Sequence, residues 1–214
     1  MLQKSNLADQ IAAILQERIV AGDIPADSAL KQDALAAEFG VSKIPLREAF
    51  AKLQQNGLVT SQANRGFFVR PLSSAEAFDV FDLRLRIEPD AAARGAERAD
   101  AAALEATRRA FEALHNAVAV RSSRVGAFNR AFHMALIQPA GAPVTLEMIE
   151  RLHVIGERYV VRHLRPEGRT ERAQAEHAAL YSAWKDRDAA RVRDLGERHI
   201  AATLADLRAE LDAE

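Results

Sequence analysis

Three histidines in the second half of the chain have the spacing of ligands that reach one metal ion from separate helices. Asn129 and His133 are four residues apart, so both side chains project from one helical face. His177 and His199, 22 residues apart, belong to two later helical patterns. Imidazoles that point inward from facing helices of a bundle can bind zinc, nickel or manganese. A histidine on an apolar face can also be a hydrogen-bonded core residue, and the residue pattern leaves both interpretations open.

Arg84 is a charged residue on an otherwise apolar helical stripe, in the segment VFDLRLRIEPD. It shares this stripe with Val80 and Ile87, so its guanidinium is expected to be drawn inward, where an unpaired charge is unfavourable. Glu88, one helical turn on, would form an ordinary i, i+4 ion pair, and the residues alone favour this internal partner. A bound carboxylate ligand is the alternative, because a guanidinium binds carboxylates bidentately.

A second set of candidate residues is cationic and lies near the N-terminus, around GVSKIPLREAFAKLQQNG (40–57). Residues 42–71 contain five Lys or Arg and one Glu, a net charge of +4, although the whole chain has a net charge of −1. Lys43 and Arg47 lie on one face at the front of a predicted helix, and Arg65 lies in a predicted turn. Such cations contact phosphates, and arginine also binds guanine O6 and N7 bidentately. Exposed cations are usually solvated surface charge, but the order of the elements around these favours DNA contact.

These cations lie on elements whose order is that of a helix-turn-helix. An apolar stripe predicts a first helix, capped by Ser5 or Asn6, that ends at a turn over residues 22–25. A short second helix is predicted over about 33–39, with Gly40 in the left-handed conformation at its end. Ser42 is the predicted cap of a third helix that ends at Gly57 and carries a proline in its first turn. The apolar stripes are Leu7, Ile11, Ile14, Leu15 and Ile19 on the first helix and Leu46, Ala49, Phe50 and Leu53 on the third.

A β-hairpin is predicted directly after the third helix. Residues 58–61 and 67–70 read as short strands around the turn 64–66, which is Asn-Arg-Gly. A hairpin in this place is the wing of a winged helix. The front of the third helix would then enter the major groove, and Arg65 at the wing tip would touch the backbone or the minor groove. We therefore expect residues 1–71 to form a DNA-binding domain.

The remainder of the chain, residues 72–214, changes to long alanine-rich helices without a strand pattern. Helices are predicted at 74–98, 101–120, 122–138, 144–163, 169–186 and 188–213, with breaks such as 141–143, 166–168 and 186–188. The predicted fold class is mainly α, with a winged helix-turn-helix followed by an all-α bundle.

Composition excludes several classes of protein. With 214 residues, 49% of them apolar and 28% charged, the chain can form a sizeable core and two domains. It lacks a membrane-length apolar run and a signal-peptide pattern, so a cytoplasmic location without a membrane is expected. The absence of cysteine excludes disulfides and thiolate metal sites. The other histidines are interpreted as surface or packing residues: His115, His153 and His163.

The ordered segments resemble the GntR superfamily of transcription regulators, in its FadR/VanR group, over nearly the whole chain. The DNA-binding part of this resemblance is LAAEFGVSKIPLREAFAKLQQNGLV (35–59) and NRGFFV (64–69). The part similar to the ligand-binding domain called FCD is RLRIEPDAAA (84–93), FNRAFHMAL (128–136), AEHAALYSAWKDRD (175–188) and RHI (198–200).

The resemblance implies a homodimer that binds a palindromic operator, and a C-terminal domain that binds a divalent metal ion and a small organic acid. The family's DNA-contacting positions fall on Lys43, Arg47, Arg65 and Gly66. Its metal ligands fall on Asn129, His133, His177 and His199. Arg84 falls where the family often contacts the carboxylate of the effector.

Two positions depart from the family pattern. A basic residue that is common at the start of the second helix is Asp33 in this chain, which removes a phosphate contact and adds repulsion. The first metal ligand is frequently aspartate, and here it is Asn129, whose neutral amide oxygen is a weaker ligand than a carboxylate.

The predicted function is a ligand-responsive transcription regulator that acts as a repressor and is not an enzyme. One alternative is a metal-dependent hydrolase, in which three histidines hold the ion and Glu176 or Glu88 is the base. Against it, neither glutamate has the spacing of a hydrolytic motif. The other alternative is a regulator that senses the metal alone.

Overall fold

The structure, a computed structural model, describes residues 7–163 and 168–211, with the side chains of residues 162 and 163 left aside. The predicted cap residues Ser5 and Asn6, most of the predicted break at 166–168 and the side chain of His163 lie outside this part. The chain divides into two compact units, one up to Leu72 and one from Ser73 onward. The predicted fold class is confirmed, since a helix-turn-helix with a two-stranded hairpin precedes an all-helical unit.

The first unit contains three helices and one hairpin. They are α1 (Leu7–Ala21), α2 (Gln32–Phe39), α3 (Lys43–Gln55), β1 (Val59–Gln62) and β2 (Gly66–Val69). The strands are antiparallel, with Val59 opposite Val69 and Gln62 opposite Gly66. Asn64 adopts a left-handed φ of 59° in the connection, a conformation that asparagine tolerates better than most residues.

The core of this unit lies where α1 packs on α3. The predicted stripe of α3 is confirmed, because all four of its apolar residues are fully buried. On α1 the prediction is partly wrong. Ile11, Leu15 and Ile19 are buried, but Leu7 and Ile14 remain 47% and 41% exposed. These two residues are seven apart and lie at one edge of the stripe, while the small Ala8 occupies the packed centre.

The turn between α2 and α3 follows its predicted chemistry in part. Gly40 ends α2 with a left-handed φ of 63°, as predicted. Ser42 occupies the cap position of α3, but its hydroxyl makes no capping hydrogen bond, contrary to the prediction. At the other end α3 stops at Gln55, two residues before the predicted Gly57, and that glycine has a left-handed φ of 79°.

The second unit is a helical bundle. Its α-helices are α4 (Ser74–Arg98), α5 (Ala101–Ala119), α6 (Val125–Ile137), α7 (Pro143–His163), α8 (Arg169–Lys185) and α9 (Ala189–Leu211). The predicted start of α6 at residue 122 is three residues early, because Arg121 adopts a left-handed φ of 50° and the Ser122 hydroxyl accepts a hydrogen bond from the Arg124 amide. No helix in the described ranges combines the length and hydropathy of a membrane span.

Helix α4 contacts α6, α7, α8 and α9 and thereby organises the bundle. Its start is capped by the Ser73 hydroxyl, which accepts from the Glu76 amide. Small residues on its second half, among them Ala91, Ala92 and Gly95, permit close approach of its neighbours. Consequently α6, α8 and α9 come near one another around the middle of α4, where the histidines lie.

Candidate functional site

The three histidines predicted to share a metal come together inside the second unit. His133 lies on α6, His177 on α8 and His199 on α9, and all three are buried. One ring nitrogen of each lies within 4.8 Å of the others. The Nε2 atoms of His177 and His199 are 3.2 Å apart. Two imidazole nitrogens that bind one tetrahedral zinc ion at about 2.0 Å are separated by roughly 3.3 Å, so this spacing fits a shared ion.

Two of the rings are oriented by carboxylates. His133 Nδ1 lies 2.7 Å from Glu88 Oε1, and His199 Nδ1 lies 2.7 Å from Glu176 Oε2. An ionised carboxylate can only accept, so each Nδ1 carries the hydrogen, and in the neutral form of either ring Nε2 keeps its lone pair. His133 Nε2 is buried and has no hydrogen-bond partner in the part of the chain that the structure describes. A buried acceptor without a partner is unfavourable unless a ligand completes it, which also fits a metal ion.

The charge states of the histidines suit a cation. Burial lowers the pKa of His133, against the opposing effect of Glu88. Burial also lowers the pKa of His177 well below its usual value, with the neighbouring His199 and His133 adding to the shift. Both rings are therefore neutral near pH 7, and the neutral imidazole is the form that binds metal.

Asn129 lies on α6 one turn before His133 and is half-buried. It lines a cavity of about 1230 Å³ together with Arg84, His177 and His199. Further polar side chains of this cavity include Ser122 and Gln174. The structure thus places all the metal-ligand candidates except His133 on the wall of one cavity, and His133 lies directly behind it against both other histidines.

Arg84 is buried and forms the internal ion pair that the residues favoured. Its Nε lies 2.8 Å from Glu88 Oε2 and its Nη2 lies 3.4 Å from Glu88 Oε1. Burial alone would raise the pKa of Glu88, but Arg84, His153 and His133 outweigh it and hold that pKa well below its usual value. Arg84 also lines the cavity, so it lies between an internal carboxylate and the space for a ligand.

His153 was assigned to surface or packing, and the structure gives it a more specific place. It is buried on α7, with Nε2 3.0 Å from Glu88 Oε1, although the alignment of the two groups is poorer than that of a hydrogen bond. Burial lowers its pKa to about 3. The signal in the sequence was Ile149, four residues earlier on the same face and fully buried. His115, by contrast, is exposed.

Glu88, His133 and His153 also lie close enough together to hold a metal ion. The Arg84 guanidinium is bonded to the same carboxylate, however, and repels a second cation at this point. We therefore interpret this group as a buried ion-pair network that supports His133, rather than as a second metal centre.

The cations predicted to contact DNA, Lys43, Arg47 and Arg65, are exposed. Lys43 is the first residue of α3, and its Nζ lies 2.5 Å from Asp33 Oδ1, with both side chains more than half exposed. Arg47 follows one turn later on the solvent side of α3. At the hairpin, the Arg65 guanidinium lies 5.7 Å from the Phe68 ring centroid, and Gly66 has a left-handed φ of 93°. Asp33 stands where the family commonly has a basic residue. Its carboxylate neutralises Lys43 in this structure.

Two family profiles match the chain. Residues 7–69 match the profile described as bacterial regulatory proteins, gntR family, and residues 79–202 match the FCD domain. The HTH-type transcriptional regulator BphR of Paraburkholderia xenovorans is 31% identical over 207 residues, which cover 91% of this chain and 82% of that protein. The HTH-type transcriptional repressor GlaR of Escherichia coli is 30% identical over 202 residues, which cover 87% of this chain and 89% of that protein.

Solved structures share the fold. Escherichia coli McbR/YncC superposes with a TM-score of 0.83 at 20% identity, covering 99% of this chain and 100% of that chain. A GntR transcriptional regulator from Rhodococcus superposes with a TM-score of 0.75 at 22% identity, covering 96% of this chain and 97% of that chain. At these identities the likeness concerns the fold alone.

Proposed function

The chain belongs to the GntR family of bacterial transcriptional regulators with an FCD domain, and from this premise we propose that it is a repressor controlled by a small carboxylate. In this proposal a homodimer binds a palindromic operator through its winged helices. The FCD domain binds a divalent metal ion and an organic acid. The name of the relative GlaR, a transcriptional repressor, supports the direction of regulation.

One observation carries the ligand-binding half of the proposal. The buried imidazoles of His133, His177 and His199 converge beside a cavity whose wall also contains a buried arginine. A divalent ion held there by these histidines and Asn129 would supply an electrophilic anchor for carboxylate oxygens. Arg84 would bind the same acid, because its two bonds to Glu88 leave Nη1 out of that pair.

The hydrolase alternative has less support. Both glutamates that were considered as bases are bonded to the Nδ1 atoms of histidines, where they orient ligands. Regulation by the metal alone predicts a change in DNA affinity on metal addition without any acid.

The DNA-binding half rests on the exposed cations of α3 and the hairpin. Arg47 would read or clamp the major groove, and Arg65 with the close backbone approach at Gly66 would contact the neighbouring phosphates or minor groove. Lys43 would exchange Asp33 for a phosphate. Exposed ion pairs of this kind contribute on the order of 1 kcal/mol or less, so the exchange is easy.

Replacement of Arg47 by alanine tests this role. We expect Arg47→Ala to weaken binding to a selected operator by roughly tenfold and to reduce the slope of log affinity against log salt by about one phosphate contact. Fluorescence anisotropy at several salt concentrations measures both quantities. Arg109→Ala, which removes an exposed cation from the FCD domain, is the control and should change neither. Operator affinity unchanged in Arg47→Ala would remove this residue from the interface.

Metal content and ligand-dependent stability test the second half. We expect zinc, nickel or manganese to raise the melting temperature of chelator-stripped protein, and one acid from a panel of sugar acids, hydroxy acids and dicarboxylates to raise it further. His177→Ala should lose the bound metal, whereas His115→Ala, at an exposed position, should retain it. Full metal occupancy in His177→Ala would show that this histidine is a core residue only.

A further inference from the structure

We propose that Glu88 and Glu176 are positioning residues that fix His133 and His199 in the tautomer required for metal binding and compensate for the missing carboxylate at Asn129. The inference deepens the proposed function, because it concerns the same metal centre. It rests on two carboxylate–imidazole pairs. In each pair the carboxylate contacts Nδ1, the ring nitrogen that is not the proposed ligand atom.

The first pair, Glu88 and His133, is buried, and several polar groups hold its carboxylate in place. Glu88 is contacted by the Arg84 guanidinium, by His133 and by His153, each within 3.4 Å. These contacts hold its carboxylate in one orientation. Glu88 therefore accepts from His133 Nδ1, and the unpartnered Nε2 of that ring is directed away, toward the other two histidines.

The second pair connects α8 to α9. Glu176 on α8 accepts from His199 Nδ1 on α9 at 2.7 Å, and its other oxygen lies 3.4 Å from Arg172 Nε. Arg172 in turn forms an ion pair with Asp206 of α9. Two helices that each carry a ligand are thus linked beside the metal centre, and the orientation of the His199 ring depends on the link.

The charge of the centre supports the same conclusion. Imidazole nitrogens and an amide oxygen carry no negative charge, so these four ligands supply none to a divalent cation. Anions bonded to the ligating rings raise the basicity of the ligands, and removal of such an outer partner typically lowers metal affinity about 10- to 100-fold. Glu88 is already shared with Arg84, so Glu176, whose cationic partner is more distant and more exposed, should contribute more to affinity.

Zinc affinity of two Glu176 variants separates orientation from charge. We expect Glu176→Ala, which loses both, to bind Zn²⁺ about 10- to 100-fold more weakly in competition with a chromophoric chelator. Glu176→Gln keeps an acceptor oxygen for His199 Nδ1 and loses only the charge, so its affinity should lie between those of Glu176→Ala and the unchanged protein. Glu197→Ala is the matched control, because it removes an exposed carboxylate two residues before His199. Equal zinc affinity in Glu176→Ala and the unchanged protein would overturn the role of Glu176, and equal affinity in Glu176→Gln would overturn the charge argument alone.

Ring-nitrogen NMR of the full, chelator-stripped protein tests orientation without any metal. We expect His133 and His199 to carry hydrogen on Nδ1, with His199 alone losing this fixed tautomer in Glu176→Ala. Assignments come from single His→Gln variants. A mixed tautomer for either ring in the unchanged protein would refute its positioning by the glutamate. If the unchanged protein binds no Zn²⁺, the proposed metal function fails, and the tautomers alone then decide whether the two glutamates orient the rings.

Discussion

At the scale of residues, the FCD domain holds an unusual amount of charge in its interior. Arg84 and Glu88 are both almost fully buried, and two histidines contact the same carboxylate. Replacing one partner of such a network leaves an uncompensated buried charge, which is strongly destabilising. The network is compatible with folding because each charge has a partner, and burial lowers the pKa of the neighbouring imidazoles of His133 and His153.

This arrangement makes the metal-free protein sensitive to acid. The folded pKa of His153 is about 3, and burial also lowers those of His133 and His177 below the unfolded value near 6.5. Below about pH 6.5 the unfolded chain therefore binds protons that the folded chain does not. The free energy of unfolding consequently decreases as the pH is lowered. The lowered pKa of Glu88 adds a further loss below about pH 4.5. Melting temperatures from pH 7.5 to pH 4, with chelator, measure the trend.

Two histidine variants test which residues cause this sensitivity to acid. His153→Gln removes one of the buried titrating groups. It should reduce the slope of the free energy of unfolding against pH by up to the equivalent of one bound proton. His115→Gln, at an exposed position, should leave the slope as it is. A melting temperature that stays constant down to pH 4 would contradict the buried, neutral state of these histidines.

At the scale of elements, α4 and its contacts fix the geometry of the site. The helix carries Arg84 and Glu88 on one half, and its small residues pack against α6 on the other. At Gly95 a Cβ atom would collide with the carbonyl oxygen of Leu136. The same oxygen accepts a hydrogen bond from the indole N–H of Trp184. The position of α6, and with it His133, thus depends on a residue two helical turns after Glu88 on α4.

Gly95→Ala is therefore expected to destabilise the protein by about 1–3 kcal/mol or more, because the collision is with backbone and cannot be relieved by a side-chain rotation. Urea unfolding measures the change. Gly196→Ala is the matched control on α9, where a Cβ would make ordinary contact with Pro89 at 3.6 Å. This second change should be neutral or stabilising by up to about 1 kcal/mol, since alanine favours a helix. Equal stability of the two variants would show that α4 and α6 can separate freely.

At the scale of the whole molecule, regulation requires that the acid and the operator influence each other's affinity. The FCD domain offers the acid site in the proposal, and the winged helix offers the DNA contacts. Such coupling is reciprocal, because both ligands act on one set of conformations. A carboxylate that binds without any effect on DNA would be a ligand of the domain without being an effector.

We expect the acid found by thermal shift to change operator affinity by a factor of about 5 to 150, in the metal-loaded protein. Titration of the acid by calorimetry, with and without saturating operator, should give the same factor in the acid's own affinity. Unequal factors would mean that the two experiments sample different oligomeric states. An operator affinity independent of the acid, and changed by metal alone, would instead support metal sensing.

The sequence by itself determined the kinds of elements and the candidate chemistry. Period-3.6 stripes, glycine at helix ends and the short polar turn at the hairpin are local signals, and they predicted the helices mostly to within a few residues. The i, i+4 relation of Arg84 and Glu88 is also local, so their ion pair could be foreseen. The prediction failed for Ile14, where helix packing decided burial, and for the start of α6, where Arg121 adopts a left-handed conformation that the apolar pattern does not reveal.

Only the tertiary structure decided which distant side chains meet. His133, His177 and His199 come from three helices, and their separation depends on how α6, α8 and α9 pack around α4. The roles of His153 and Glu176 were hidden for the same reason, because each acts on a residue of another helix. Sequence spacing fixes the face on which a residue lies within its own helix, whereas helix packing sets the distance between faces.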